Sequence, residues 1–251
     1  MFERLAADYR ARPPYPEALV ARLSALAGEG RRVVDLGAGT GLLAAPLARR
    51  GHPVLAVEPA RAMLAVCAEA CAGLAVTPVR APAESTGLGA VEAGLLLLAD
   101  AVHWVRPDAA GTEARRLLAM DGVAAVVAPE PMDTPFMRGL RALLVSANAK
   151  ARSLPADARV RQFLALAAGP GRPDEERWEQ RVPLGPEALR SVVRSLSYGG
   201  PALGPAATER LLEAVEALGA REGPEWARVV RLVWLRRGRR SRRTRTRPPR
   251  P

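Results

Sequence analysis

Between Val33 and about Ala128, short apolar runs alternate with helix-length segments, the pattern of a parallel sheet with helices on both faces. The runs predict strands over Arg32 to Leu36, Val54 to Val57, Ala75 to Val79, Gly94 to Ala99 and Val123 to Ala128. Leu42 to Arg50 and Ala60 to Ala72 lie between the first three strands. Both lack internal glycine and are rich in Ala and Leu, so both read as helices, with Pro46 confined to a first turn. After Pro129 the pattern changes to helical segments broken by Pro and Gly, Thr134 to Lys150 and Pro155 to Ala168, followed by a loop from Gly169 to Glu176. Inserted after the fifth strand, they predict a helical cap over the carboxyl edge of the sheet. Pro186 to Leu196, Pro205 to Gly219 and a last apolar strand, Ala227 to Leu235, complete the core. The expected division is an N-terminal strap and helix over 1–30, a Rossmann-like core over 31–130, the cap over 131–180, the completed core over 181–236 and a tail over 237–251.

Composition narrows the class. With 251 residues, 49% of them hydrophobic, the chain buries a substantial core, which excludes disorder for most of it. Apolar runs such as Gly94 to Ala99 are too short to cross a bilayer, and the opening MFERLAADYR carries charges where a signal peptide needs an apolar centre, so a soluble cytoplasmic protein is expected. Cys67 and Cys71 stand four apart, on one helix face, without the CxxC spacing of redox or zinc chemistry. His52 and His103 are the only histidines, so no metal site is expected. The net charge of +11 resides mainly in Arg236 to Pro251, RRGRRSRRTRTRPPRP, which leaves the body close to neutral. Without interleaved aromatics, this tail reads as a solvated, disordered end, and nucleic acid is not the expected partner.

The candidate chemistry begins at Asp35-Leu-Gly37-Ala38-Gly39-Thr-Gly41, which follows a strand and opens a helix. A dinucleotide fold places its glycines as G-x-G-x-x-G around a pyrophosphate, whereas here they alternate and an acid precedes them by two. That spacing suits a ligand with an amino-acid end and no phosphate, such as S-adenosylmethionine (SAM). Asp35 is then placed to hold the ligand's ammonium, and the Gly37 to Gly41 backbone leaves room for its methionine and ribose. Glu58, ending the second strand, can accept both ribose hydroxyls, with Pro59 and Met63 flanking the adenine.

These residues resemble the class I SAM-dependent methyltransferases, and more narrowly a bacterial group of methyltransferase type 11. Four landmarks carry the narrower resemblance: Tyr9-Arg-Ala-Arg12-Pro13-Pro-Tyr15-Pro16, Ala83-Glu84, His103-Trp104 and Ser195-x-Ser197-Tyr198, in that order. The resemblance covers roughly residues 5 to 236. It implies a seven-stranded sheet of six parallel strands, with the last inserted antiparallel beside the fifth. It also implies adenine contacts at Ala83 and Glu84, and a residue near the methionine end of the cofactor at Asp100, where the group commonly has Gln.

Methyl transfer is an in-line displacement at a sulfonium methyl, so an enzyme positions the nucleophile and, where needed, removes its proton. His103, just beyond the fourth strand, is the candidate base. Tyr9 and Tyr15 are candidates to fold over the cofactor, and Arg12 to meet a carboxylate. The expectation is a monomeric or homodimeric SAM-dependent enzyme methylating an O or N atom, with C less favoured, of a small molecule. The competing readings are an NAD-dependent oxidoreductase, disfavoured by the loop spacing, an RNA methyltransferase using the Arg tail, and a non-catalytic SAM-binding protein.

Overall fold

The computed structural model describes residues 2–148, 157–197, 199 and 202–238. Tyr198 of the late motif and the tail from residue 239 onward lie outside them. The strands are β1 (Val33–Leu36), β2 (Val54–Val57), β3 (Val76–Val79), β4 (Ala93–Ala99), β5 (Leu118–Pro131), β6 (Asp174–Pro183) and β7 (Glu225–Arg236). They form one sheet in the order β3-β2-β1-β4-β5-β7-β6. β7 runs antiparallel to both β5 and β6, and the other six strands share one direction, as expected. The chain order reverses between β1 and β4, which opens a crevice at their carboxyl ends, the place where such sheets take ligands.

The helices are α1 (Ala6–Tyr9), α2 (Glu17–Ala27), α3 (Ala44–Arg49), α4 (Arg61–Ala70), α5 (Pro107–Leu117), α6 (Pro135–Ala147), α7 (Asp157–Ala168), α8 (Pro186–Arg194) and α9 (Pro205–Glu222). Pro46 falls in the first turn of α3, where the missing N–H has no partner to lose. The β1 residues are all buried, because a central parallel strand is covered on both faces. Leu19, Leu23 and Leu47 of α2 and α3 join alternate residues of β1, β4 and β5 on one face. Ala110, Ala114, Phe163 and Leu164 of α5 and α7 cover the other.

Two features change the reading of the second half. Glu176 and its neighbours from Asp174 on are not loop but the start of β6, an edge strand whose residues alternate between exposed and half-buried. Charges along such an edge discourage pairing with other chains, and they also hide the strand from an apolar-run pattern. The two helices after β5 also part company. α6 joins α8 and α9 in a separate apolar cluster through Phe136, Leu140, Val192 and Val215, whereas α7 docks on the sheet beside α5.

Candidate functional site

The glycine loop rises from β1 with Gly37, Gly39 and Gly41 all at positive φ, +71, +56 and +84°. At Gly41 the requirement is also spatial. A Cβ there would stand 2.9 Å from Cys67 Sγ and 3.2 Å from Cys71 Sγ. The two cysteines therefore form the floor on which the loop rests, and burial pushes both thiols above their ordinary pKa, so they stay protonated.

Asp35 is 2% exposed, and its Oδ1 has no hydrogen-bond partner among the described residues. Burial, with Glu58 adding to it, raises its pKa to about 7. Thr40 Oγ1 is likewise buried and unpartnered. Glu58 is fixed differently: its carboxylate accepts the N–H of Gly39 at 3.1 Å and of Ala60 at 2.9 Å. These bonds turn the acid at the end of β2 toward the glycine loop. Burial raises its pKa while the two backbone donors oppose the rise.

Above the loop the cleft is roofed by the strap that follows α1. Tyr9, Arg12 and Tyr15 line it together with Asp35, Asp100 and Arg228. Arg12 spans the site: Nη1 donates to Asp100 at 3.2 Å, Nε to Ser195 Oγ at 3.0 Å and Nη2 to the Ser195 carbonyl at 3.1 Å. Its guanidinium lies 4.2 Å from the centre of the Tyr9 ring. The early arginine motif and the late serine motif, 183 positions apart in sequence, thus meet over one cleft. Asp100 holds its place with φ +49°, a conformation that non-glycine residues adopt at a cost. Burial raises the pKa of Tyr9 and of Tyr15, so both phenols act as neutral hydrogen-bonding groups.

The remaining expected residues divide. Gly37, Ala38 and Gly39 line the cleft, while Gly41 is buried beneath it. Pro59 is exposed, Ala83 is buried in the sheet core, and Met63 is covered by Leu5 and Ala6 of the N-terminal segment. Glu84 uses Oε1 to accept the N–H of Arg106, at the start of α5. His103 stands at the rim, outside the residues that line the cleft, 4.9 Å from the Trp104 ring centre, and Trp104 in turn meets Phe2 edge-on at 5.1 Å. Partial desolvation at the rim, where His103 stays exposed, holds its pKa below the ordinary histidine value, against the pull of Asp100.

Sequence reasoning missed Thr40, Leu42, Leu43, Ala99 and Arg228 as lining residues. Position within and just after the glycine motif could have flagged the first three. For Arg228 there was no signal, since it is one of many arginines and reaches the cleft only because β7 folds back beside β5. Among the described residues no group of His, Cys, Asp and Glu is disposed to hold a metal ion, and no helix is long and apolar enough to cross a membrane.

The sheet is doubly wound, and the acid-led glycine loop sits at its switch point. Residues 34–126 match the model of the methyltransferase domain family. Uncharacterized methyltransferases of Mycobacterium tuberculosis and Mycobacterium bovis are 40% identical over 116 residues, a stretch covering 45% of this chain and 45% of theirs. The chain thus spans less than half the length of these relatives. Among solved structures, a candidate methyltransferase from an antibiotic biosynthesis pathway of Anabaena variabilis superposes with TM-score 0.65 at 18% identity, covering 86% of this chain and 96% of that one. A candidate type II methyltransferase from Anaeromyxobacter dehalogenans gives TM-score 0.57 at 22% identity, covering 91% and 97%. Over residues 34–126 the chain is thus similar to methyltransferase domains.

Proposed function

We propose that the chain transfers a methyl group from SAM to an O or N atom, with C less favoured, of a small molecule held beneath the strap. The observation that carries the reading is the buried, unpartnered carboxylate oxygen of Asp35 beside a glycine loop whose rim holds the fixed carboxylate of Glu58. An unsatisfied buried acid is costly unless a partner arrives, and the ammonium of an amino-acid ligand is such a partner. SAM, when bound, supplies an electrophilic methyl on a sulfonium. In this assignment Asp35 holds the ammonium, Gly37, Ala38, Gly39 and Gly41 shape the groove, and Glu58 accepts the ribose hydroxyls. Pro59 and Glu84 border the adenine, with Met63, covered by Leu5 and Ala6, and Ala83, buried in the sheet core, packed behind them, and Tyr9 and Asp100 border the methionine end.

The residues around the reacting centre bind and orient, and they exclude water. Tyr9 and Tyr15 close the cleft from above, and the Arg12 bridge to Asp100 and Ser195 holds the strap down. His103, whose pKa is held below the ordinary histidine value, is the base assigned to receive the acceptor's proton from its place at the rim. The test is release of S-adenosylhomocysteine (SAH) when SAM is offered with panels of small alcohols, phenols and amines. SAH formed only with an acceptor present is the expected result, and its absence with every acceptor, despite SAM binding, would contradict the enzymatic reading. Replacing His103 with Ala should slow turnover by roughly a hundredfold or more if it is the base. Undiminished turnover would remove it from the mechanism.

A further inference from the structure

Four charged side chains line the cleft, and they do not cancel in pairs. Arg12 is matched by Asp100 at 3.2 Å. Asp35 has no cationic partner. The fourth, Arg228, is a cation at 7% exposure. Its Nε donates to Gln180 Oε1 at 2.8 Å, and its Nη2 donates to the carbonyls of Pro13 at 3.0 Å and Pro14 at 2.9 Å. The guanidinium lies 5.1 Å from the centre of the Tyr15 ring. Each of these partners is neutral. Among the described residues no carboxylate stands at ion-pair distance from Arg228, and its Nη1 has no hydrogen-bond partner. Burial lowers the pKa of the group, the direction expected for a cation held from water without a counter-ion.

Fastening the strap to β7 accounts for Nε and Nη2 but not for the charge, because a neutral amide would hold two carbonyls without the desolvation cost of an ion. The two N–H groups left on Nη1 keep a charged donor free, and a carboxylate is the acceptor that satisfies both its hydrogen bond and its charge. The same cleft also holds Asp35, uncompensated in the opposite sign, and one cleft with both complements a zwitterion.

Resting on the SAM-binding reading above, we infer that Arg228 is the receptor for a ligand carboxylate in this cleft. The carboxylate belongs either to the methionine moiety of the cofactor or to a methyl acceptor that is itself an acid. The chemistry at Arg228 is the same for both.

Calorimetric titration of SAH and of decarboxylated SAM separates the cases, using wild type, Arg228→Met, Arg228→Lys and Gln180→Met. Gln180 also fastens the strap, through Nε2 to the Pro14 carbonyl at 2.9 Å, so its loss loosens the roof without removing a charge. If the cofactor supplies the carboxylate, Arg228→Met weakens SAH by ~30-fold or more and leaves the decarboxylated ligand unchanged. Arg228→Lys then recovers part of the loss. If the acceptor supplies it, both ligands bind Arg228→Met as they bind wild type. In that case acetate, succinate or benzoate raises the melting temperature of SAH-loaded wild type but not of the SAH-loaded variant. Equal weakening of both ligands, as for Gln180→Met, overturns the inference. So does a variant that changes neither ligand while no carboxylate distinguishes the loaded proteins. Should Arg228→Met fail to fold, Arg228→Lys carries the same comparison, since it keeps the charge and loses the directed Nη1 donors. Wild type that binds neither ligand would instead remove the SAM reading on which this inference depends.

Discussion

At Asp35 a buried carboxyl with a pKa of about 7 couples folding and ligand binding to pH in opposite directions. The folded protein holds the Asp35 proton more tightly than the unfolded chain, whose value lies near 3.8. This group's contribution to stability is therefore complete at low pH and is lost as pH rises from about 4 through 7. An ammonium ligand needs the carboxylate, so SAH affinity should climb over the same interval, by at most about tenfold per pH unit, and level off above pH 7. Asp35→Asn should weaken SAH and flatten this profile. A profile in the variant as steep as in wild type would show that another group titrates. Gly41→Ala tests the floor of the loop, since both φ +84° and the sulfur of Cys67 at 2.9 Å oppose a side chain. A loss of roughly 1–3 kcal/mol in thermal or denaturant unfolding is expected. An unchanged melting temperature would show that the loop relaxes freely. At this scale Asp35, Glu58 and the glycines were legible in sequence because their spacing states a local geometry. Arg228 was not, because nothing local distinguishes it from the other arginines.

Among the elements, the contact of α5 with α7 sets two opposed effects against each other at Gly111. In a solvent-facing helix, Gly→Ala stabilises by about 1 kcal/mol through backbone entropy. Here the new Cβ would stand 2.7 Å from Leu166 Cβ and 3.0 Å from the Phe163 carbonyl, atoms bound to the α7 backbone that cannot swing away. Overpacking of this kind costs about 1–3 kcal/mol, so Gly111→Ala is expected to destabilise, with chemical denaturation as the readout. Stabilisation would mean that the two helices separate without penalty. The central strands could be read in advance because burial on both faces leaves only apolar residues in them. β6 was hidden for the converse reason: DEERWEQRVP alternates among charged and polar residues at an exposed edge, and only its pairing with β7 makes it a strand.

Across the molecule, the site is assembled from parts far apart in the chain. The strap at Tyr9 to Tyr15, the end of β4 at Asp100, Ser195 after α8 and Arg228 at the start of β7 converge on the crevice where the strand order turns. No local pattern could announce that convergence, although the resemblance placed several of its members in order along the chain. Because Arg12 ties three of these parts together, Arg12→Ala should accelerate SAH dissociation several-fold in stopped-flow measurements while changing association less. An unaltered dissociation rate would mean that the bridge does not hold the roof. The central claim is that the cleft is built for the amino-acid end and ribose of SAM. It is tested most directly by calorimetric titration of the full chain at pH 7.5 with SAH and, separately, with NADH. The account predicts saturable binding of one SAH per chain, weakened in Asp35→Asn, and no binding of NADH. Saturable NADH binding with none for SAH would contradict it.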